Sequence, residues 1–358
     1  MMAFFCIFLT LQALCIFLCK AISNLSSSPE DYNVAATDEN SLGKRKPYQT
    51  NLLFIIFDDL RVELSIFGRL GIISPNFERL AARSVVFDQA YTQISVCNPS
   101  RDSLLTGLRP DTVGTYGFQS TYQTYKNHMI LPTRLKRSGY KTASLGKIRH
   151  WENVDTEVWD ENDNADWYKY QTREVRYMNS SVMPDKIRED STFPDYYFAT
   201  KAVETIKRLS QGPDYFMLAV GFKNPHLALH VPYKYFEMYR SRVHLWNATN
   251  EELRYPPSAP KVSYRCCAAG SFRPMLNEGA MRQMNEVPLT RINDTLSLSM
   301  HQELMWVYAA MITFVDTQLG RILDAIDEIE LWGNLTVVLT ADHGMHLGEK
   351  GIWYGILL

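Results

Sequence analysis

Asn51-Leu52-Leu53-Phe54-Ile55-Ile56-Phe57-Asp58-Asp59 is the stretch that decides the fold. Six consecutive apolar residues follow Asn51, with no polar alternation. Such a run is wet on neither side, so it predicts a strand buried on both faces, as in a parallel sheet covered by helices. The run ends in two adjacent carboxylates. Bare neighbouring carboxylates repel. A divalent cation resolves the repulsion, and oxygen donors suit calcium or magnesium; a solvated turn is the alternative reading.

The same grammar recurs along the chain. Residues 215–222 predict a second apolar strand, which delivers Asn224-Pro225-His226. Residues 335–340 predict a third, which delivers Ala341-Asp342-His343-Gly344. Residues 140–145 predict a strand leading to Gly146-Lys147-Ile148-Arg149-His150, and Val85-Val86-Phe87 a short one. Helical patterns lie between them. Ser74 and Pro75 open a helix over 74–81, and residues 131–138 predict another, stopped by Gly139. Residues 196–209 predict a third. Residues 302–331 carry the longest stripe, with Leu304, Val307, Tyr308, Met311, Val315, Leu319, Ile322 and Ile326 on one face. Residues 151–190 and 231–297 show no period and read as irregular surface segments. Alternating strands and helices argue for an α/β sandwich with a largely parallel sheet. Ligand sites in such sheets lie at the carboxyl ends of strands. Four strands finish in chemically capable residues, so one pocket is expected to gather Asp58, Asp59, Lys147, His150, His226, Asp342 and His343.

Between the first two of these elements stands Cys97-Asn98-Pro99-Ser100-Arg101-Asp102-Ser103-Leu104-Leu105-Thr106-Gly107. Pro99 suits a first helical turn and Gly107 a helix stop. Cys97 is thus placed at a helix N-terminus, where free N–H groups favour negative charge. Taken alone, a buried cysteine beside a helix start is the plainer reading.

The unbroken string C-x-P-S-R-x-x-x-L-T-G resembles the signature of the type I sulfatases, in the alkaline-phosphatase superfamily. Further residues carry the resemblance: Asp58-Asp59-Leu60-Arg61, Ser74-Pro75-Asn76, Arg109-Pro110-Asp111-Thr112, Gly146-Lys147, Ala219-Val220-Gly221, Pro225-His226, Asp316-Thr317-Gln318 and Asp342-His343-Gly344. It runs from about residue 50 to residue 353. The resemblance implies an alkaline-phosphatase-like sandwich and conversion of Cys97 to formylglycine by the formylglycine-generating enzyme. It implies one calcium ion held by Asp58, Asp59, Asp342 and His343 beside the modified Cys97. It gives Arg101 the task of holding the hydrated aldehyde, and Lys147 that of binding sulfate oxygens. His150 would take a proton in the elimination step, and His226 would protonate the departing sugar oxygen. The implied substrates are sulfated glycosaminoglycans, and two of the motifs narrow the branch to enzymes acting on iduronate 2-sulfate. A phosphodiesterase or phosphonate hydrolase of the same superfamily is the alternative. His128, His230 and His346 match no role and read as structural.

Composition bears on compartment. The chain has 358 residues, 46% hydrophobic, with a formal charge of −2, so no nucleic-acid footprint is visible. Residues 1–19 are almost wholly apolar, and Ala21 and Ser23 suit signal-peptidase cleavage after residue 23. An uncleaved anchor is the alternative; after cleavage no membrane span is expected. Residues 24–47 read as a polar leader and 48–358 as the catalytic domain. Asn-x-Ser/Thr sites at Asn24, Asn179, Asn247, Asn293 and Asn334 agree with the secretory pathway, and the resemblance points to the lysosome or secretion. Asn334 directly precedes a predicted buried strand, which argues against a glycan there. Beyond the apolar leader the cysteines are Cys97, Cys266 and Cys267, so no disulfide framework is expected.

One departure stands out. The family pattern continues after Trp353 to a sulfate-binding lysine, and that position falls on Gly355. The family's C-terminal subdomain is likewise missing from these 358 residues. The expectation is reduced or lost catalysis by this chain alone, the non-catalytic reading being the rival to a working hydrolase.

Overall fold

The computed structural model describes residues 49–69, 71–118, 129–150, 157–163, 189–226, 229–240, 298–351 and 353–354. The predicted signal segment, the polar leader, His128, Cys266, Cys267 and the sites at Asn24, Asn179, Asn247 and Asn293 lie outside the described residues.

Five parallel strands form the central sheet: β1 (Asn51–Phe57), β2 (Lys141–Gly146), β3 (Glu161–Asp163), β4 (Phe216–Phe222) and β5 (Leu335–Ala341), in the order β3-β2-β4-β1-β5. Every residue of β1 and β4 is buried. The two faces of β1 explain why. Leu53, Ile55 and Phe57 join one hydrophobic cluster, and Leu52, Phe54 and Ile56 join another across the sheet. A strand between two apolar layers has no polar face to alternate with, as its sequence required.

Helices cover both faces. On the first lie α1 (Pro75–Ala81), α5 (Pro194–Leu209), α6 (Tyr233–Arg240) and α7 (Leu298–Glu328). The second carries α2 (Cys97–Thr106) and α4 (Leu131–Arg137), through Leu104, Leu105 and Leu135. A one-turn helix, α3 (Pro110–Val113), follows α2. β6 (His346–Leu347) and β7 (Trp353–Tyr354) make a small antiparallel pair. The α7 stripe is core packing: Tyr308, Met311, Val315, Leu319, Ile322 and Ile326 are fully buried. No helix among the described residues is long and apolar enough to cross a membrane.

Three local expectations are corrected. Val85, Val86 and Phe87 form no strand; the first two are exposed and no neighbouring strand pairs with them. Within the stretch read as irregular, α6 forms because Tyr235, Phe236 and Tyr239 fall at helical spacing and are buried. Its tyrosine-rich composition hid that period. Within residues 151–190, Glu161-Asn162-Asp163 forms the edge strand β3, whose polar residues read as loop. Backbone pairing with β2 holds it, and charged side chains suit an edge.

Strand register aligns the carboxyl ends. Phe57 stands opposite both Phe222 and Ala341, and Gly146 opposite Gly221. The next residue of each strand therefore emerges on one edge: Asp58, Lys147, Lys223 and Asp342. Glycines permit the closest approach there. A Cβ on Gly221 would collide with the backbone carbonyl of Lys147, and one on Gly146 with that of Gly221. Gly146 also has φ +71, a left-handed conformation that side chains disfavour. Gly221→Ala is expected to destabilise the fold by on the order of 3 kcal/mol, because backbone cannot swing aside as a side-chain tip can. Urea unfolding tests this; a midpoint equal to that of the parent chain would contradict it.

Candidate active site

The residues singled out in the sequence come together at this edge. Asp58 and Asp59 follow β1 directly. Asp59 has φ 63, a conformation that aspartate tolerates better than most residues. Two side chains hold this turn. Tyr308 donates its hydroxyl to the Asp59 carbonyl at 2.9 Å and accepts the Arg61 N–H at 3.1 Å. The Asp342 Oδ1 atom accepts the backbone N–H groups of Asp59, at 3.1 Å, and of His343, at 2.8 Å.

Cys97 is the first residue of α2, and Gly107 closes the helix in a left-handed conformation (φ 72), as its sequence suggests. Unusually, α2 buries its polar residues: Asn98, Ser100, Arg101, Asp102 and Ser103 are all at most 1% exposed. Two of them, Ser100 and Arg101, serve the site. The Ser100 hydroxyl donates to the Asp342 carbonyl. Arg101 donates Nε to Asp342 Oδ2 at 2.9 Å and Nη2 to Asp58 Oδ1 at 3.1 Å. Its Nη1 reaches the Lys147 carbonyl and, at 3.4 Å, that of Ile148. The guanidinium thus ties β1, β2 and β5 together at their ends.

Lys147 Nζ donates to Asp58 Oδ2. His343 Nε2 stands 3.2 Å from Cys97 Sγ, and its Nδ1 stands 3.1 Å from Asp59 Oδ1. His226 Nε2 lies 4.0 Å from Asp58 Oδ2 and 3.9 Å from Asp59 Oδ2. His150 packs against Phe118, ring centres 4.8 Å apart and planes tilted by 39°.

Electrostatics divide the two neighbouring carboxylates. Burial would raise Asp58, but Lys147, His226 and Arg101 outweigh it and hold the carboxyl well below its usual range. Burial pushes Asp59 up to about 7; Asp58 and Asp342 add to the rise and His343 opposes it. Burial also drives the Cys97 thiol well up, with the Asp58 charge reinforcing it and Lys147 opposing. An unmodified thiol here is held protonated and is a poor nucleophile. Burial, then the Lys147 charge, lowers His150 to about 4, so its imidazole is neutral near pH 7.

The donor set fits a divalent cation. Asp59 is fully buried, yet neither of its carboxylate oxygens accepts a hydrogen bond. Ligand atoms of Asp58, Asp59 and Asp342 lie within 4.8 Å of one another, as do those of Asp59, Cys97 and His343 and those of Asp58, Cys97 and His226. Hard oxygen donors favour calcium or magnesium. Calcium at a hundred times its Kd is expected to stabilise the fold by about 2.7 kcal/mol, and Asp59→Asn to remove most of that gain. Thermal midpoints with calcium and with a chelator measure both; equal midpoints would refute a cation site here.

Two residues that help build the site had escaped the sequence reading. Tyr308 lies on the apolar α7 stripe, where only its hydroxyl hints at another task. Asp195 follows Pro194 at the start of α5, and it resembles an ordinary acidic residue of a first helical turn. His230 is buried and His346 half-exposed, 3.9 Å from Glu349, in keeping with structural roles.

Comparison with known proteins places the chain in a family. Residues 50–356 match the family model described as Sulfatase. The chain is 29% identical over 323 residues to iduronate 2-sulfatase of Homo sapiens, covering 85% of this chain and 56% of that enzyme. The Mus musculus enzyme is 30% identical over 321 residues, with the same shares covered. The chain therefore spans about half the length of the curated relatives it matches. Among solved structures, a phosphonate monoester hydrolase of Agrobacterium radiobacter superposes with a TM-score of 0.57 at 21% identity, over 85% of this chain and 64% of the other. At that identity the likeness speaks for the fold, the alkaline-phosphatase-like sandwich expected from the sequence.

Proposed function

The chain belongs to the sulfatase family, and from that premise we propose that it removes sulfate from glycosaminoglycan sugars, with iduronate 2-sulfate in heparan or dermatan sulfate as the substrate. The observation that carries this reading is the convergence of Asp58, Asp59, Cys97, Lys147, His226, Asp342 and His343 on one sheet edge. Two curated relatives named iduronate 2-sulfatase, at 29% and 30% identity, support the choice of sugar.

In this reading Asp58, Asp59, Asp342 and His343 hold one calcium ion next to residue 97. When bound, calcium supplies polarisation of the S–O bonds and neutralises developing charge. Formylglycine at position 97 supplies, once hydrated, two hydroxyls on one carbon: one to take up the sulfuryl group and one to release it. The chain's own residues do the remainder. Lys147 is the cation for the sulfate oxygens, already anchored by its bond to Asp58. His226 donates a proton to the departing sugar oxygen, since an alkoxide is a poor leaving group. His150, neutral near pH 7, takes the proton of the second hydroxyl. Arg101 fixes Asp58 and Asp342 and, through them, the place of residue 97. The compartment that suits this chemistry and the apolar N-terminal segment is the secretory pathway, ending in the lysosome or in secretion.

The test is expression in a eukaryotic secretory host followed by two measurements. The tryptic peptide of residues 84–101 is expected to carry an aldehyde at Cys97. The chain is expected to release sulfate from an iduronate 2-sulfate disaccharide, at a rate reduced by the glycine at position 355, faster than it cleaves a matched phosphodiester to its monoester. A thiol at Cys97, in a host that modifies other sulfatases, would refute the nucleophile. A faster phosphodiester reaction would favour the phosphodiesterase alternative.

A further inference from the structure

The loop that carries His226 is held from an unexpected direction. Asp195 is the second residue of α5 and is 2% exposed. Both of its oxygens point at the segment leaving β4. Oδ1 accepts the Lys223 N–H at 2.8 Å, and Oδ2 accepts the Asn224 N–H at 2.9 Å. The same short segment then turns back on itself, for the His226 N–H donates to the Lys223 carbonyl at 2.9 Å. Asn224 Nδ2 donates to the His230 carbonyl at 3.3 Å, which ties the far side of the turn. One carboxylate thus fixes the first two amides after β4. Two residues later stands the imidazole that lies 3.9–4.0 Å from Asp59 and Asp58.

An acidic residue in a first helical turn usually serves its own helix, through the dipole and the free N–H groups. Here both oxygens serve another segment. Amides that leave a buried strand and turn sharply have no ladder partner, so a carboxylate that accepts two of them sets the loop's path as well as its stability.

We infer that Asp195 is a positioning residue for His226: by clamping the Lys223 and Asn224 amides it sets where the imidazole stands over the Asp58–Asp59 pair, and so its reach to the departing sugar oxygen. This rests on the sulfate-ester reading of the site. Asp195 touches no reacting atom itself. A general acid contributes on the order of 10²–10⁴-fold when aligned, and a displacement of about 1 Å removes on the order of 10²-fold.

The test compares two sulfate esters in the full chain. 4-Nitrophenyl sulfate releases a stable phenoxide that needs no proton, whereas a sugar sulfate releases an alkoxide that does. Asp195→Asn keeps the side-chain shape but can accept from only one of the two amides. It is expected to lower kcat on the iduronate 2-sulfate disaccharide by roughly 10–100-fold with little change in KM, and kcat on 4-nitrophenyl sulfate by less than about 3-fold. His226→Ala should show the same selective loss, and the double variant should lose little more than His226→Ala alone. A parallel fall on both esters, or none on either, would overturn the inference. Crystal structures of the parent chain and of Asp195→Asn give a readout independent of turnover. His226 Nε2 is expected to move away from Asp58 and Asp59 in the variant, and an unmoved ring would overturn the inference as well. A parent chain that turns over neither sulfate ester yet cleaves a matched phosphodiester would instead overturn the sulfate-ester reading.

Discussion

Cys97→Ser is expected to turn steady-state hydrolysis into a single trapped event, lowering kcat by on the order of 10⁴-fold or more. Cys97 is 2% exposed at the start of α2, with the His343 imidazole 3.2 Å from its sulfur. A serine hydroxyl there occupies the same position and can take up the sulfuryl group, releasing the sugar alcohol. It has no second hydroxyl on the same carbon, so nothing collapses to expel the sulfate. The expected product is a chain whose intact mass has grown by one SO₃ at residue 97. Cys97→Ala should be equally inactive and gain no mass. A Cys97→Ser chain that turns over at the parent rate would remove residue 97 from the chemistry. A serine variant that is inactive but gains no mass would leave residue 97 essential without making it the sulfate acceptor.

Arg101→Ala is expected to produce the largest loss of stability of any single change at the site, about 3–5 kcal/mol. The reason is geometric. Arg101 has no exposed surface, and its three nitrogens serve Asp58, Asp342 and two backbone carbonyls. Truncation leaves two fully buried carboxylates facing each other with one compensating charge fewer. Arg101→Lys should recover little, because an ammonium cannot bridge two carboxylates and two carbonyls as a planar fork does. Calcium should narrow the gap between the parent and Arg101→Ala, since a divalent cation restores positive charge among the same carboxylates. Denaturant unfolding with calcium and with a chelator checks the whole prediction. A variant within about 1 kcal/mol of the parent in chelator would show that the network is not stabilising.

The site's components were legible in the sequence because a doubly buried strand leaves a plain trace. β1 and β4 appear as apolar runs and β5 as one interrupted only by Thr336 and Thr340, and the residues that follow each run are the ones the register brings together at one edge. The Gly146-Lys147 and Val220-Gly221 dipeptides were visible as motifs, but their reason was not. Only the structure shows that β2 and β4 approach too closely at that level for a Cβ. Elements that rely on partners rather than on their own pattern were missed. β3 is polar and exists through its pairing with β2. The helix α6 lies in a tyrosine-rich stretch, and Asp195 was indistinguishable from a helix-start carboxylate. The opposite error at Val85-Val86-Phe87 has the same root, since strand propensity without a neighbouring strand makes no strand.

By itself, the sequence determined the layer order of the fold, the strand ends that carry the chemistry and the identity of the groups assembled there. These follow from local rules: apolar runs must be buried, and glycine and proline punctuate helices. Tertiary structure alone decided how those groups share charge. It placed Arg101 between Asp58 and Asp342, buried the Asp59 carboxylate beside His343 and His226 with no hydrogen bond to its oxygens, and brought the Asp195 carboxylate to the His226 loop. Such contacts join residues far apart in the chain, and their strength depends on burial and distances of a few ångströms, quantities that no local pattern of residues encodes.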